Sequence, residues 1–163
     1  MHQAYISVGS NLGRKVENCR RGIHELTTAG RSILVAASPF YRTSPVDYLD
    51  QDWFVNAVIK IETERDPFAL LHDLRCIEKK VGRKANTIRF GPRVLDLDII
   101  FFDDAVIQSD TLEIPHPRMH KRRFVLKPIC DIDPSMLHPV LGEDMQSLLN
   151  SLQDEDQEVL RIE

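Results

Sequence analysis

Alternating apolar and polar residues predict four strands, and the most regular of them is Phe54–Thr63. Its odd-numbered positions from Val55 to Ile61 are all apolar, whereas the even-numbered positions are mostly polar. A period of two residues is typical of a strand that buries one face. Further strands are predicted over Ala4–Val8, Ser32–Tyr41 and Val94–Phe102, with a short hairpin through Val106–Ile107 and Leu112–Ile114.

Two longer segments carry apolar residues at steps of three and four, which is the spacing of one helix face. The first is Arg14–Ala29, which ends at Gly30. The second begins at the capping residue Asp66, has Pro67 in its first helical position and ends at Gly82. Shorter helices are predicted near Arg122–Lys127 and Asp144–Leu152.

The order of the main elements is strand, helix, strand, strand, helix, strand. This order predicts an α+β fold of the ferredoxin-like split β-α-β kind: an antiparallel sheet with two helices on one face, followed by a C-terminal hairpin and short helices. Residues 1–163 are expected to form a single domain, with Gln153–Glu163 as a loose tail or a last short element. Many enzymes and regulators share this fold, so the fold alone does not indicate a function.

The 163 residues, 42% hydrophobic and 28% charged, have the composition of an ordinary folded domain. The sequence has no apolar run of 18 residues, so no membrane span is expected. Its first residues lack a basic patch followed by a long apolar stretch, so no secretory signal is expected either. A net charge of −4 disfavours general binding to nucleic acid. We therefore expect a cytoplasmic monomer in which Cys19, Cys76 and Cys130 are reduced and mostly buried.

Asp96 and Asp98 are the strongest candidates for chemistry, because they lie two residues apart in a predicted strand. They should share one face, with their Cα atoms about 7 Å apart, while Leu95, Leu97 and Ile99 point into the core. A divalent ion would relieve the repulsion between the two carboxylates, and Mg²⁺ is commonly held by one or two carboxylates and substrate phosphates. The alternative is a solvated polar face with no ligand.

Two basic stretches in this acidic chain contain no Asp or Glu, namely Gly82–Arg93 and Arg118–Lys127. The first holds Arg83, Arg89 and Arg93. Arginine forks suit phosphate oxygens, so a polyphosphate bound with Mg²⁺ near the aspartates would account for both stretches. Solubility is the alternative reason for them. The sequence has neither a P-loop nor the glycine motif of dinucleotide-binding proteins.

Four other side chains could recognise a ligand. Asn56 could read the polar edge of a heterocycle on which Phe54 stacks, or it could bond nearby backbone. His116 lies between two prolines and could donate to a phosphate or cap a turn. Glu78, near the end of the second predicted helix, could face solvent, or hold a ribose hydroxyl or an arginine.

Six short motifs occur in order and together resemble those of the 6-hydroxymethyl-7,8-dihydropterin pyrophosphokinases of folate biosynthesis. They are Gly9–Gly13, Tyr41–Pro45, Phe54–Val58, Gly82–Arg83, Arg89–Asp98 and Pro115–Met119. The resemblance extends from about Ala4 to Leu149, and the stretch Gly91–Ile99 is highly specific by itself. Two positions depart from the family pattern: Phe54 replaces a frequent tyrosine, and Phe90 replaces a frequent tryptophan.

The resemblance implies that the pyrophosphoryl group of ATP passes to the hydroxymethyl oxygen of the pterin and leaves AMP. Attack would fall on the β-phosphorus, in line with the departing AMP. ATP is then the co-substrate, and two Mg²⁺ ions are expected, both held through Asp96 and Asp98. Catalysis would rest on positioning and charge neutralisation and would need no covalent intermediate.

The same resemblance assigns site residues. Arg83 and Arg93 would bind phosphates and act as catalytic residues together with the two aspartates. Further ATP contacts are expected at Glu78, Arg89, the backbone near Ile99, His116 and Arg122. The pterin would lie between Phe54 and Phe124, with its polar edge at Asn56 and at the backbone of Thr43 and Val46. Loops Gly9–Gly13, Ser44–Asp52 and Lys84–Phe90 would close over the site and exclude water.

Two other functions stay open at this point. A ferredoxin-like module that senses a small molecule would explain the fold, but it leaves the aspartate pair and the basic stretches without a role. A metal-dependent nuclease would use paired aspartates, but it fits poorly with the net charge. Nucleotide binding that does not depend on Mg²⁺ and leads to no turnover would favour the sensing module. Nuclease activity that depends on Mg²⁺ would favour the nuclease.

Overall fold

One antiparallel sheet contains both the first and the last strand of the chain. The computed structural model gives the positions of residues 1–45, 48–82, 92–153 and 157–162. The strands of this sheet are β1 His2–Ser10, β2 Ser32–Ala37, β3 Phe40–Thr43, β4 Phe54–Thr63, β5 Asp96–Phe102 and β8 Val159–Ile162. A separate hairpin consists of β6 Ile107–Gln108 and β7 Glu113–Ile114. The sheet runs in the order β5-β1-β4-β3-β8, and β2 pairs with the other half of β4.

The helices agree with the apolar spacing in the sequence. They are α1 Lys15–Thr28, α2 Pro67–Val81, α3 Arg123–Ile132 and α4 Met145–Ser151, with a 3₁₀ turn at Met119–Lys121. At the start of α2 the Asp66 side chain accepts the N–H of Ala69 at 2.9 Å, which confirms the predicted cap. Gly82 ends α2 with φ of 129°, a conformation that favours glycine.

Helices cover both faces of the sheet: the two long helices share one face, as predicted, and the two short helices, for which the sequence predicted no face, cover the other. On the first face, α1 and α2 pack against β1 residues such as Ile6 and Val8. On the second face, α3 and α4 pack against Tyr5 of β1 and Val58 of β4. Val58 interrupts the polar face of the alternating strand, and it is fully buried because α3 lies over it.

A register shift in β5 supports this two-sided arrangement. Ile6 pairs with Ile99 and Tyr5 pairs with Phe101, so Ile100 is an extra residue on β5. Both Ile100 and Phe101 consequently join the cluster under α3 and α4. The part of β5 before the shift, which carries Asp96 and Asp98, keeps the alternation predicted from the sequence.

One strand prediction is corrected, and one alternative that the sequence left open is resolved. The predicted strand Ser32–Tyr41 is divided into β2 and β3, because Pro39 has no N–H for the ladder and Ser38 uses its hydroxyl to accept the N–H of Val58 at 2.9 Å. The C-terminal segment is not a loose tail over Val159–Ile162, since these residues form β8 and pair with β3.

The chain just before β8 also braces the loop that follows β3. The N–H of Ser44 donates to the carbonyl of Glu158 at 3.0 Å, and the Ser44 hydroxyl accepts the N–H of Glu158 at 2.9 Å. The end of the chain thus holds the start of the loop that leads to β4.

The cysteines are free thiols, but only Cys19 is fully buried, while Cys130 is partly buried and Cys76 is exposed. Cys76 lies on the outer face of α2, which corrects the expectation for that residue. Burial raises the pKa of Cys19 to about 12, so this thiol stays protonated. Within the described ranges, no helix combines the length and the apolar character needed to cross a membrane.

Candidate active site

Three neighbouring strands place Asn56, Gly9 and Asp96 in one row across the sheet. Gly9 of β1 is the register partner of Asn56 in β4 and of Asp96 in β5. Since adjacent strands are about 4.8 Å apart, the backbones of Asn56 and Asp96 are separated by about 10 Å. Register partners share a face, so the amide and the carboxylate lie on the same side of the sheet, with Gly9 between them.

Gly9 leaves open the space between these two side chains. A Cβ atom added there would lie 2.6 Å from Oδ1 of Asn56, which is closer than real Cβ contacts occur. Glycine is therefore required by the close approach of the Asn56 side chain. The row therefore has a polar side chain at each end, Asn56 and Asp96. Between them the backbone of Gly9 forms a floor that carries no side chain.

The structure confirms the predicted geometry of the aspartate pair. Asp96 and Asp98 are both partly exposed on the face that carries α3, while Leu97 and Ile99 between and after them are buried. Asp98 is the register partner of Ser7, and both lie two residues along their strands from the row that contains Gly9 and Asp96. The two carboxylates thus lie side by side at the start of an edge strand.

This pair fits the requirements of Mg²⁺. Hard carboxylate oxygens are its preferred protein ligands, and substrate phosphates and water commonly complete its octahedron. In the portion of the chain that the structure describes, no three His, Cys, Asp or Glu side chains come together as a metal cluster. A two-carboxylate site needs no third protein ligand when phosphates are present, so Asp96 and Asp98 are the residues that would hold the ion.

Arg75 is a site residue that the sequence reasoning missed. From α2 it reaches around the edge of β5, where its guanidinium donates to the Leu97 carbonyl at 2.9 Å and lies 3.5 Å from a carboxylate oxygen of Asp98. It also donates to Glu78 at 2.8 Å. The sequence signal was an arginine three residues before a carboxylate on a helix, which is too common a pattern to single out a site.

Glu78 is buried and does not face solvent. One of its carboxylate oxygens accepts from Arg75, and the other accepts the N–H of Leu97 at 2.8 Å. Only 1% of the Glu78 residue surface is exposed. Of the alternatives predicted for this residue, the structure shows the bond to an arginine. Glu78 therefore ties α2 to the free edge of β5 next to the aspartates.

A cleft of about 220 Å³ adjoins this edge. One wall comes from α2 and β5, with Leu71, Arg75, Asp98 and Ile99, and the opposite wall comes from the β6–β7 hairpin. His116 lies at the same cleft, beside Asp98. Leu71 and Ile99 give the wall from α2 and β5 apolar surface, whereas the hairpin wall is mostly polar and includes Asp110 and Glu113. A cleft with both kinds of surface can take a ligand that has an apolar part and a polar part.

The protonation state of His116 favours a neutral hydrogen-bond donor. Burial lowers the pKa of His116, the charges of Arg122 and Arg118 lower it further, and Asp98 acts against them. Its Nδ1 atom accepts the N–H of Arg118 at 3.2 Å. The proton of the neutral ring is therefore on Nε2, which is the atom available to donate to a ligand.

Asn56 and Thr43 form the other end of the site. The amide nitrogen of Asn56 donates to the Thr43 hydroxyl at 2.7 Å, and both residues are buried. The sequence left open whether Asn56 bonds nearby backbone; its partner is a neighbouring side chain instead. This bond fixes the orientation of the amide, with its oxygen directed towards Gly9.

Two aromatic side chains lie near this end, and each is partly buried. Phe54 begins β4 on the same face as Asn56, and Phe124 lies in the first turn of α3 and packs against the cluster that contains Val58. The guanidinium of Arg122 is 5.5 Å from the centre of the Phe124 ring. Arg122 thus connects the aromatic part of the site with His116.

The structure describes Arg93 but not three other predicted residues. Arg83, Arg89 and Val46 lie outside the described residues, as does most of the basic stretch before β5. Arg93 is described and partly buried, and its backbone N–H donates to Asn11 at 2.7 Å. Arg93 therefore lies at the entrance to β5, three residues before Asp96.

Comparisons with known proteins agree with this arrangement. A family model described as 7,8-dihydro-6-hydroxymethylpterin-pyrophosphokinase (HPPK) matches residues 5–134. The "Folic acid synthesis protein fol1" of Pneumocystis carinii is 41% identical over 152 residues, which are 93% of this chain and 20% of that protein. The chain thus spans about a fifth of the length of the relatives that carry this name.

A second relative has a length similar to that of this chain. The 2-amino-4-hydroxy-6-hydroxymethyldihydropteridine pyrophosphokinase of Haemophilus influenzae is 41% identical over 139 residues, covering 85% of this chain and 86% of that protein. Among solved structures, wild-type Plasmodium falciparum HPPK-DHPS with pteroate gives a TM-score of 0.73 at 16% identity, over 91% of this chain and 42% of that chain. This likeness concerns the fold, and it confirms the predicted ferredoxin-like α+β class. The extent of the family match, together with the relatives of about 40% identity, shows that the chain belongs to the 7,8-dihydro-6-hydroxymethylpterin-pyrophosphokinase family.

Proposed function

We propose that this chain transfers the pyrophosphoryl group of ATP to the hydroxymethyl oxygen of 6-hydroxymethyl-7,8-dihydropterin. The products are AMP and the pterin diphosphate. The observation that carries this proposal is the row Asn56–Gly9–Asp96, in which a buried amide faces a carboxylate across a floor without a side chain. A flat heterocycle held by the amide would extend over Gly9 and bring its hydroxymethyl group towards the aspartates.

The cleft beside β5 supports ATP as the co-substrate. Its apolar wall at Leu71 and Ile99 suits a nucleoside, and its charged end at Asp98 and His116 suits the phosphates. The Nε2 proton of His116 would donate to a phosphate oxygen, and the Arg122 guanidinium nearby would neutralise negative charge. With ATP in this cleft, the phosphates would meet the pterin above the aspartate pair.

Asp96 and Asp98 would hold Mg²⁺ between the two substrates, and two ions are expected. Bound there, Mg²⁺ supplies charge neutralisation at the phosphates and lowers the barrier to nucleophilic attack on phosphorus. The protein groups fix the substrates in line, so that a bond from the hydroxymethyl oxygen to the β-phosphorus forms as the bond to the AMP oxygen breaks. Arg93, and Arg83 and Arg89 by family resemblance, would stabilise the charge that develops on the leaving phosphates.

Recognition of the pterin would depend on aromatic stacking and on the side-chain amide of Asn56, whose orientation is fixed. Phe54 and Phe124 would stack on the two faces of the ring, while Asn56 and the backbone of Thr43 and Val46 would pair with its polar edge. Because Thr43 accepts one N–H of Asn56, the amide oxygen and the other N–H can serve the ligand. The expectations of a monomeric, cytoplasmic protein that does not bind nucleic acid stay predictions.

The proposal is tested by product analysis with ATP, Mg²⁺ and 6-hydroxymethyl-7,8-dihydropterin. AMP should accumulate in equal amount to the pterin diphosphate, and only when all three components are present. Asp96→Asn and Asp98→Asn should each lower kcat by about a hundredfold or more while leaving thermal unfolding close to that of the wild type. Formation of ADP in place of AMP would contradict the proposed reaction. Activity in a variant that carries both Asp96→Asn and Asp98→Asn would contradict the proposed metal ligands.

A further inference from the structure

Helix α3 is fastened to the sheet by two polar clusters of the same composition. In each cluster an aspartate at the end of α3 accepts a tyrosine hydroxyl from the sheet and a lysine ammonium group. The first cluster consists of Tyr41, Asp131 and Lys127. The second consists of Tyr5, Asp133 and Lys60.

The two clusters also match in detail. Lys127 Nζ lies 3.1 Å from the Asp131 carboxylate and 5.8 Å from the centre of the Tyr41 ring. Lys60 Nζ lies 2.8 Å from the Asp133 carboxylate and 5.4 Å from the centre of the Tyr5 ring. Both tyrosine rings are almost fully buried. Hydrogen bonds of this kind, from a hydroxyl to a charged acceptor, are among the stronger ones in proteins.

The Tyr41 cluster and the Tyr5 cluster lie at different distances from the candidate site. Tyr41 is the register partner of Asn56, so its side chain lies next to the amide on the same face, and Thr43 follows two residues later on that face. Tyr5 precedes Gly9 by four residues on β1, which places it about 13 Å from the row that contains Gly9. The Tyr41 cluster adjoins the site, and the Tyr5 cluster does not.

Helix α3 connects the Tyr41 cluster to the aromatic side of the site. Phe124 and Asp131 are seven residues apart, about two helical turns, so they lie on the same side of α3. Asp131 binds β3 at one end of that side, and Phe124 is held near the sheet at the other end. The bond between Asp131 and Tyr41 is therefore one of the contacts that hold α3, and Phe124 with it, against the strands that carry Thr43 and Asn56.

We propose that Tyr41 and Asp131 are positioning residues for the pterin, which hold Phe124 at the correct distance from the Asn56–Thr43 pair. This inference rests on the proposed function and goes beyond it, since neither residue touches the substrate. The two act through Phe124 and Asn56, and Lys127 donates to the Asp131 carboxylate and so holds it in place. The Tyr5 cluster attaches the same C-terminal end of α3 to β1, further from the site, and has only a structural role.

The matched clusters allow a direct test with Tyr41→Phe and Tyr5→Phe. Each variant removes one hydroxyl from an equivalent bond and keeps the ring, so the two should lower the melting temperature similarly. Tyr41→Phe should raise the KM for the pterin by about three- to tenfold, with the KM for ATP and kcat within about twofold of wild type. Tyr5→Phe should leave all three kinetic constants within that same range.

A second pair of variants tests whether the two residues act through one bond. Asp131→Asn should raise the KM for the pterin as Tyr41→Phe does, and the double variant should raise it no further than the larger single effect. Additive effects on this KM would contradict a shared action. An intact KM in Asp131→Asn, measured on folded protein, would remove Asp131 from the proposal.

The inference and the proposed function fail in different ways. If the wild-type protein forms AMP, but Tyr41→Phe and Tyr5→Phe change the KM for the pterin equally, the positioning role is overturned and the function stands. The same holds if Tyr41→Phe raises the KM for ATP as much as that for the pterin. If the wild-type protein forms no AMP with the pterin present, the proposed function is overturned, and this inference with it.

Discussion

Asn11 and Arg93 are joined by two hydrogen bonds that connect the loop after β1 with the segment before β5. The N–H of Arg93 donates to the Asn11 side-chain oxygen at 2.7 Å, and the N–H of Asn11 donates to the Arg93 carbonyl at 2.9 Å. The amide nitrogen of Asn11 donates to Gln51 at 2.8 Å and to the Asp52 carbonyl at 3.1 Å. One buried side chain therefore holds together three segments that surround the candidate site.

Asn11→Asp should separate these segments with almost no change in volume. The variant keeps the acceptor for Arg93 but replaces the donor to the Asp52 carbonyl with a second oxygen, so this contact becomes repulsive. We expect kcat/KM to fall by about tenfold or more. Asn18→Asp is the matched control, because Asn18 donates to the Leu12 carbonyl at 2.8 Å within the same loop. Equal losses in the two variants would show that only the conformation of that loop matters.

Gly9→Ala should disrupt the floor of the site. The new methyl group would lie 2.6 Å from Oδ1 of Asn56, and overpacking of this kind costs about 1–3 kcal/mol of unfolding free energy. Adding Asn56→Ala should relieve the collision and recover stability, measured by urea unfolding, without recovering pterin affinity. A Gly9→Ala protein with wild-type KM for the pterin would contradict the assignment of this floor to the substrate.

Arg75→Met should destabilise the protein through Glu78. The substitution leaves a carboxylate with 1% exposure without its guanidinium partner. Because Arg75 itself is partly exposed, the expected loss of unfolding free energy is about 2 kcal/mol, less than for a fully buried pair. In a Glu78→Gln background the same substitution should cost clearly less. An equal cost in both backgrounds, measured by urea unfolding, would show that the ion pair is not the reason.

The charge of Asp133 should contribute to stability at neutral pH and cease to do so in acid. Partial burial acts to raise the pKa of Asp133, but hydrogen bonds from Lys60 and Tyr5 outweigh it and hold the pKa below its usual value. The unfolded chain therefore takes up this proton at a higher pH than the folded chain does. The contribution is complete above about pH 5 and is lost as the pH falls below about 4 through the folded-state pKa.

Asp133→Asn should accordingly lower the melting temperature at pH 7. As the pH is lowered, the melting temperature of this variant should fall less steeply than that of the wild type. The difference between wild type and variant should shrink as the solution is acidified. In a Lys60→Met background, the pH-dependent part of this difference should be much smaller. A difference that stays constant down to about pH 3 would contradict the assigned charge interaction.

The sequence was sufficient for those parts of the site that depend on local pattern. The alternation of β5 placed Asp96 and Asp98 on one face, and the spacing of apolar residues located α1 and α2. The row Asn56–Gly9–Asp96 could not be predicted in this way, because it depends on the pairing of strands that are distant in the sequence. The role of Arg75 was missed for the same reason, since an arginine on α2 becomes a site residue only when β5 lies at the sheet edge.

The position of α3 and α4 on the second face of the sheet could not be predicted from the residue pattern either. Val58 was an exception in an alternating strand, and a single apolar residue on a polar face does not predict a helix above it. The register shift at Ile100 turns two successive apolar residues to that face, which no period of two can indicate. Bulges and two-sided burial both require the neighbouring strands and helices to be known.

Strand β8 connects residues 157–162 with the proposed pterin end of the site. Glu158 is bonded to Ser44, and β8 pairs with β3 beside Tyr41 and Thr43. A deletion of residues 157–162 would therefore act like a mutation of the proposed pterin end, although it removes none of the residues proposed to contact the pterin. Substitutions in β8 are thus expected to alter the proposed pterin affinity from outside the site itself.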